Sequence, residues 1–164
     1  MIFISTKTYD HTIGLSACFR QWRAESHCKY LHGYALKVRL EFEANTLDER
    51  QWVVDFGSLK SFKGWLEDTF DHKLLVAEDD PLREELEKLE DIGLAQPIVV
   101  PATGCEAFAM MIYECAEVWL KDNGYAPRVR MRLVEVSEHG ANSAIYTGEQ
   151  SEVRLSSGTD TGDS

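Results

Sequence analysis

The sequence predicts an α+β fold, an antiparallel sheet covered on one side by helices. Three observations carry this prediction. Residues 34–42 and 128–136 alternate apolar and charged side chains with a period of two, the pattern of half-buried strands. Residues 55–70 and 105–122 instead space their apolar side chains by three and four, the stripe of amphipathic helices. Weaker period-two segments, 3–19 and 142–149, lie toward the ends. The order is strand, strand, helix, short helix, long helix, strand, strand, and hairpins flanking helices close into such a sheet.

Each element has its own signal. In 3–19, Ile13, Leu15, Ala17 and Phe19 share a parity. In 34–42, Tyr34, Leu36, Val38, Leu40 and Phe42 interleave with Lys37, Arg39 and Glu41. Asp55 or Ser58 can cap a helix through Phe62, Trp65, Leu66 and Phe70. Residues 82–90 read as a short acidic helix in a solvated insertion. The long helix presents Phe108, Met111, Ile112, Cys115, Val118 and Trp119 and stops at Asn123-Gly124, a core stripe rather than a cofactor box. In 128–136, Val129, Met131 and Leu133 alternate with Arg128, Arg130 and Arg132; in 142–149, Ala144 and Tyr146 share a parity. The charged sheet face fits either solvent or closure against another subunit.

With 164 residues the chain suffices for one domain, expected over 1–150, followed by a small, polar, disordered tail at 151–164. No apolar run reaches the ~18–20 residues of a membrane span, and the first residues lack a signal-peptide pattern, so a cytoplasmic location and no membrane partner are expected. The 28 acidic against 17 basic residues, net −11, would repel phosphate backbones and argue against nucleic-acid binding. Cys18, Cys105 and Cys115 read as reduced, packed thiols.

Three segments can carry chemistry. In Ser26-His27-Cys28-Lys29-Tyr30-Leu31-His32-Gly33-Tyr34, positive neighbours could favour a Cys28 thiolate. In Phe70-Asp71-His72-Lys73, an Asp beside a His suits either an acid/base relay or a structural pair. Glu138-His139-Gly140-Ala141-Asn142 by itself reads as a polar hairpin turn.

Taken as an ordered set, Cys28-x-x-x-His32-Gly33, Val54-Asp55-Phe56, Asp71-His72-x-x-Leu75, Glu106 and Glu138-x5-Ala144-x-Tyr146 resemble the 6-pyruvoyl/6-carboxy-tetrahydropterin synthase family over about 13–148. The resemblance implies a T-fold, a four-stranded antiparallel sheet with two main helices on one face, in subunits that close into a trimeric barrel or a dimer of trimers with active sites between them. It implies that Cys28 is the catalytic base toward a dihydropterin side chain, that Asp71 and His72 assist proton transfer, and that Glu138, with Glu106 nearby, binds the pterin. It also implies zinc held by three histidines. Here only His32 occupies one of those positions; Phe19 and Tyr34 occupy the other two. Phenylalanine has no lone pair to coordinate with, and neutral tyrosine is a poor zinc ligand. His11, eight residues before Phe19, would lie on the order of 26 Å away if extended. A set built from His27, His32 and Cys28 would consume the thiol.

The resulting expectation is a 6-carboxytetrahydropterin synthase-like lyase acting on 7,8-dihydroneopterin triphosphate, on the route toward 7-deazapurines such as queuosine. Arg20, Arg23, Lys29 and Lys73 are candidates for the triphosphate, and Arg20, Arg23, His32 or Tyr34 for the electrophile in place of metal. Two other readings stay open: a zinc-free pterin- or purine-binding protein without lyase activity, and a T-fold enzyme for another heterocycle.

Overall fold

A computed structural model describes residues 1–148; the tail expected at 151–164 lies outside the described residues. The long strand β3 (His32–Ala44) organises the sheet. On one side it pairs antiparallel with β1 (Phe3–Tyr9) along its second half and with β2 (Leu15–Phe19) along its first. The single strand predicted over 3–19 is thus two, separated by a turn in which Gly14 takes φ +80°, a conformation glycine adopts without strain. His11 lies in that turn, its Nδ1 2.5 Å from the Ala35 carbonyl oxygen.

On its other side β3 pairs with β6 (Val129–His139), which pairs with β7 (Asn142–Tyr146), all antiparallel. The four-stranded antiparallel arrangement expected from sequence is present, with its first strand divided into β1 and β2. It is extended past β2 by β4 (Lys73–Ala77) and β5 (Pro97–Val100), joined in parallel, giving seven strands in the order β5-β4-β2-β3-β6-β7 with β1 on β3. These two additions are short apolar runs, Lys-Leu-Leu-Val-Ala and Pro-Ile-Val-Val, with no alternation to mark them as strands.

The helices are α1 (Lys60–Phe70), the five-residue α2 (Arg83–Glu87) and α3 (Cys105–Asp122). Asp55 accepts a hydrogen bond from the Gly57 N–H at 2.8 Å and so caps a 3-10 turn that leads into α1. Phe62, Leu66 and Phe70 of α1 share one core with Phe108, Ile112, Ala116 and Leu120 of α3 and with Leu36, Val38, Leu40 and Phe42 of β3. The buried stripe of α3 is rotated from the predicted one: Val118 is 58% exposed, while Ala109, Ala116 and Leu120 are buried.

The opposite sheet face is a charged ladder. Arg39 donates to Glu135 at 2.8 Å and pairs with Glu41, Arg132 lies 3.5 Å from Glu41, and Arg130 pairs with Glu43. Arg128 precedes β6 and leaves this ladder; its guanidinium donates to the carbonyls of Thr46, Trp52 and Val53, tying the loop after β3 to the start of β6. Among the described residues, no helix is long and apolar enough to cross a membrane.

Candidate active site

Cys28 sits on the loop that joins β2 to β3. Its neck is closed by the Gln21 N–H donating to the Cys28 carbonyl at 2.9 Å. Ser26 caps the 3-10 turn His27–Lys29, its hydroxyl accepting from the Cys28 N–H at 3.4 Å. The Arg20 guanidinium donates twice to Asp80, at 2.8 and 2.6 Å, and a third time to the Lys29 carbonyl at 3.3 Å. Thr103 adds a bond from its hydroxyl to the Arg20 carbonyl at 2.7 Å. The Asp80 side chain is 1% exposed and that of Arg20 17%. Hydrogen bonding from Arg20 holds the Asp80 carboxyl below the usual range against the opposing effect of burial.

Arg23 pairs with Asp79 at 2.7 Å and lies over the Trp22 ring, whose indole N–H also reaches Asp79 at 3.0 Å. Arg20 and Arg23, expected from sequence as anion-binding groups, are therefore already compensated by carboxylates. They fasten the Cys28 loop to the segment after β4. Lys73 donates to Gln96 at 2.5 Å, and the Lys29 ammonium lies 5.3 Å from the centroid of the Tyr30 ring.

The three positions that the resemblance assigns to zinc do meet. Register places Phe19 opposite His32 and Ala17 opposite Tyr34, so Phe19, His32 and Tyr34 project from the same sheet face. Their ring centroids are 5.2 Å (Phe19–His32), 6.2 Å (Phe19–Tyr34) and 5.5 Å (His32–Tyr34) apart. Phe19 is fully buried and packs edge-on against Phe108 at 5.1 Å. Gly33 is required between them, because a Cβ there would lie 2.7 Å from the Ala17 carbonyl oxygen. The His32 Nδ1 lies 2.7 Å from the Tyr30 carbonyl oxygen, which fixes the Nδ1–H tautomer and leaves Nε2 its lone pair. This donor set does not fit zinc: one imidazole nitrogen, one phenol and a hydrocarbon ring fall short of a tetrahedral site. No cluster of three or more His, Cys, Asp or Glu side chains placed to hold a metal occurs among the described residues.

Tyr34 links the other parts of the site. Its hydroxyl is pushed above the usual phenol range by burial first, then by the nearby Glu138 carboxylate and the Cys28 and Cys105 thiols. Glu138 is half-buried, has the parity of the buried Val134 and Val136, and lies where the β6–β7 register shifts between Ser137 and His139. Cys105 opens α3 beneath it. Burial, then the charges of Glu138 and Glu106, pushes that thiol up to about 12, so it remains protonated and unreactive. Glu106 is exposed in the first turn of α3. Before it, Gly104 takes φ +114° and the Gln21 amide nitrogen lies 2.5 Å from where a Cβ would stand, so only glycine fits. The sequence marked Cys105 as ordinary packing and His139 as turn; the structure makes both neighbours of the site, with His139 6.0 Å from Tyr34. The only sequence signals were their positions beside Glu106 and Glu138.

Asp71 and His72 follow the last residue of α1. The Asp71 Oδ1 lies 2.9 Å from His72 Nδ1 and also accepts from the Ser16 N–H at 3.1 Å. His72 takes φ +57°, donates its backbone N–H to the Ser16 carbonyl and leaves its ring 82% exposed. His72 borders a cavity of about 410 Å³ whose lining includes Ser16, Cys18, Leu31 and Gly33 and omits both Asp71 and Cys28. Ser16, Cys18 and Gly33 have the opposite parity to Phe19, His32 and Tyr34. Within one chain, then, Cys28 and Glu138 both lie near Tyr34, while His72, its ring bonded to Asp71, opens onto the other face of β2 and β3.

The chain matches the family model described as 6-pyruvoyl tetrahydropterin synthase over residues 9–149. A protein of Aquifex aeolicus named 6-carboxy-5,6,7,8-tetrahydropterin synthase is 28% identical over 142 residues, 84% of this chain and 86% of that one. A Rickettsia bellii protein of the same name is 39% identical over 57 residues, a stretch spanning 34% of this chain and 41% of that protein. Among solved structures, an uncharacterised protein of Wolinella succinogenes superposes with TM-score 0.73 at 22% identity, covering 91% of this chain and 99% of that one. A Plasmodium vivax 6-pyruvoyltetrahydropterin synthase, solved as a catalytic-residue mutant, gives 0.65 at 16% identity, covering 89% and 97%. The two structural likenesses establish the shared fold.

Proposed function

The chain belongs to the 6-pyruvoyl tetrahydropterin synthase family, and from that premise we propose that it is a 6-carboxy-5,6,7,8-tetrahydropterin synthase-like lyase acting on 7,8-dihydroneopterin triphosphate. The observation that supports this most is that Cys28 and Glu138, from separate segments of the chain, both lie near enough to Tyr34 to act on its hydroxyl. A carboxylate beside a thiol suits a pterin. Two adjacent donors on its amino-pyrimidine edge match the two Glu138 oxygens, and Cys28 is then the base for a proton on the pterin's side chain. Glu106 is assigned to the same binding wall.

The bond between His72 Nδ1 and Asp71 suits a proton carrier, because it orients the ring and leaves Nε2 to exchange the proton. We assign this pair to a pocket shared with a neighbouring copy, in a trimer or a dimer of trimers. The same reading takes residues 1–150 as one domain and places its work in the cytoplasm, on the route to 7-deazapurines such as queuosine. Members of the family generally use zinc; the residues here do not fit it, and no step is assigned to it.

Turnover of dihydroneopterin triphosphate by the purified protein tests the proposal. Cys28→Ala should abolish product while pterin binding survives. Glu138→Ala should weaken binding by about tenfold or more, since up to two charge-assisted hydrogen bonds of ~1.5–3 kcal/mol are lost. Tight pterin binding with no product from the unmodified protein would favour a binding protein without lyase chemistry.

A further inference from the structure

We propose that this chain works without zinc at its family's metal position, and that the Tyr34 hydroxyl and the His32 Nε2 together meet the substrate's side-chain oxygens there. The second half of this statement rests on the pterin reading; the first stands on the aromatic triangle alone.

The β2–β3 register fixes where residues 19, 32 and 34 project and brings their rings together. What fills the space is carbon. Phe19 is fully buried, wedged edge-on against Phe108 and tilted against His32. An ion bound at about 2.0–2.3 Å from three ligands would have to displace that ring and break its packing. The rings also hold one another: His32 and Tyr34 stand perpendicular, with Tyr34 in turn beside His139.

The polar atoms left over are complementary. With Nδ1–H bound to the Tyr30 carbonyl, His32 offers an acceptor at Nε2. The Tyr34 hydroxyl offers a donor. One donor beside one acceptor matches an alcohol, which needs both, and a developing oxyanion would take the donor. The chemistry recognised is thus a hydroxylated side chain on a flat heterocycle, bound through neutral hydrogen bonds instead of a Lewis acid.

Two measurements test this. Protein purified without chelators and dialysed should carry zinc well below one ion per chain by elemental analysis, and cobalt(II) should give no tetrahedral ligand-field bands. The double substitution Phe19→His with Tyr34→His should gain one cobalt or zinc ion, because the register already aligns the three positions. A dialysis-resistant equivalent of zinc, or tetrahedral cobalt bands, in the unmodified protein would overturn the metal-free reading whether or not the double variant folds.

For the second half, Tyr34→Phe keeps the ring and removes only the hydroxyl. Its affinity for 7,8-dihydroneopterin should fall about tenfold, the equivalent of one ~1.4 kcal/mol hydrogen bond, while affinity for pterin without a side chain stays unchanged. Equal affinity of Tyr34→Phe and the unmodified protein for dihydroneopterin refutes the role given to Tyr34. An unmodified protein that binds neither ligand refutes the pterin reading and the Tyr34 assignment with it, leaving the metal result to stand separately.

Discussion

At the scale of the residue, Arg20 and Asp80 show how a charge that resembles an anion site in sequence becomes a fastening in three dimensions. Arg20 spends its donors on Asp80 and on the Lys29 carbonyl, beside the residue that carries the thiol. Removing the charge by Asp80→Asn leaves a largely buried guanidinium without its partner. The expected loss is about 3 kcal/mol, the low end for breaking a buried pair, because part of Arg20 still reaches water. Urea denaturation at neutral pH measures it. The same pair sets a pH dependence. Folding depresses the Asp80 carboxyl below its unfolded value, so its contribution is complete above the ordinary carboxylate range and is lost as pH falls through the depressed value. The stability gap between the unmodified protein and Asp80→Asn should therefore narrow on acidification below about pH 4. A gap that is flat in pH would mean that the pair contributes little.

At the scale of the element, the β2–β3 hairpin decides the site, and Gly33 is its tightest point. The Ala17 carbonyl oxygen lies 2.7 Å from where a Cβ would stand, and it belongs to backbone that cannot swing away. Gly33→Ala should push β2 from β3 and cost about 1–3 kcal/mol, as overpacking does. Near-ultraviolet circular dichroism should change as well, because Phe19 and Tyr34 flank this point. A variant with unchanged melting temperature and aromatic spectrum would show that the strands absorb the methyl. The bulge lies at the other end of the site: Glu138 has the parity of the buried Val134 and Val136, opposite to Glu135 of the ladder, and the register shift between Ser137 and His139 ends the regular β6–β7 pairing at that residue.

At the scale of the whole molecule, the absence of Cys28 from the cavity that His72 lines suits an active site shared between copies. If the two residues serve one pocket from two chains, Cys28→Ala and His72→Ala should each be inactive alone. Co-refolded mixtures should regain part of the activity, since some interfaces then combine an intact Cys28 with an intact His72. Mixtures that stay inactive while light scattering shows mixed oligomers would place both groups in one chain's pocket. The charged face between β3 and β6 bears on assembly too. Its arginines are already paired with glutamates whose side chains are only 11–18% exposed, so little uncompensated charge from these residues is left to attract or repel a neighbouring copy.

Periodicity alone determined the antiparallel frame, because β3, β6, α1 and α3 each bury one face and must alternate or stripe to do so. The ordered motifs determined the family, and single substitutions at Phe19 and Tyr34 were enough to put the zinc in question. β4 and β5 were invisible, since strands buried in parallel pairing carry no alternation. Nor could the sequence tell that Arg20 and Arg23 are spoken for, as their partners Asp80 and Asp79 stand more than fifty residues away. Sequence names the residue types and their order along one chain. Which charges are cancelled, which rings touch and which face a histidine opens onto depend on register and long-range contact, and only the tertiary structure decides those.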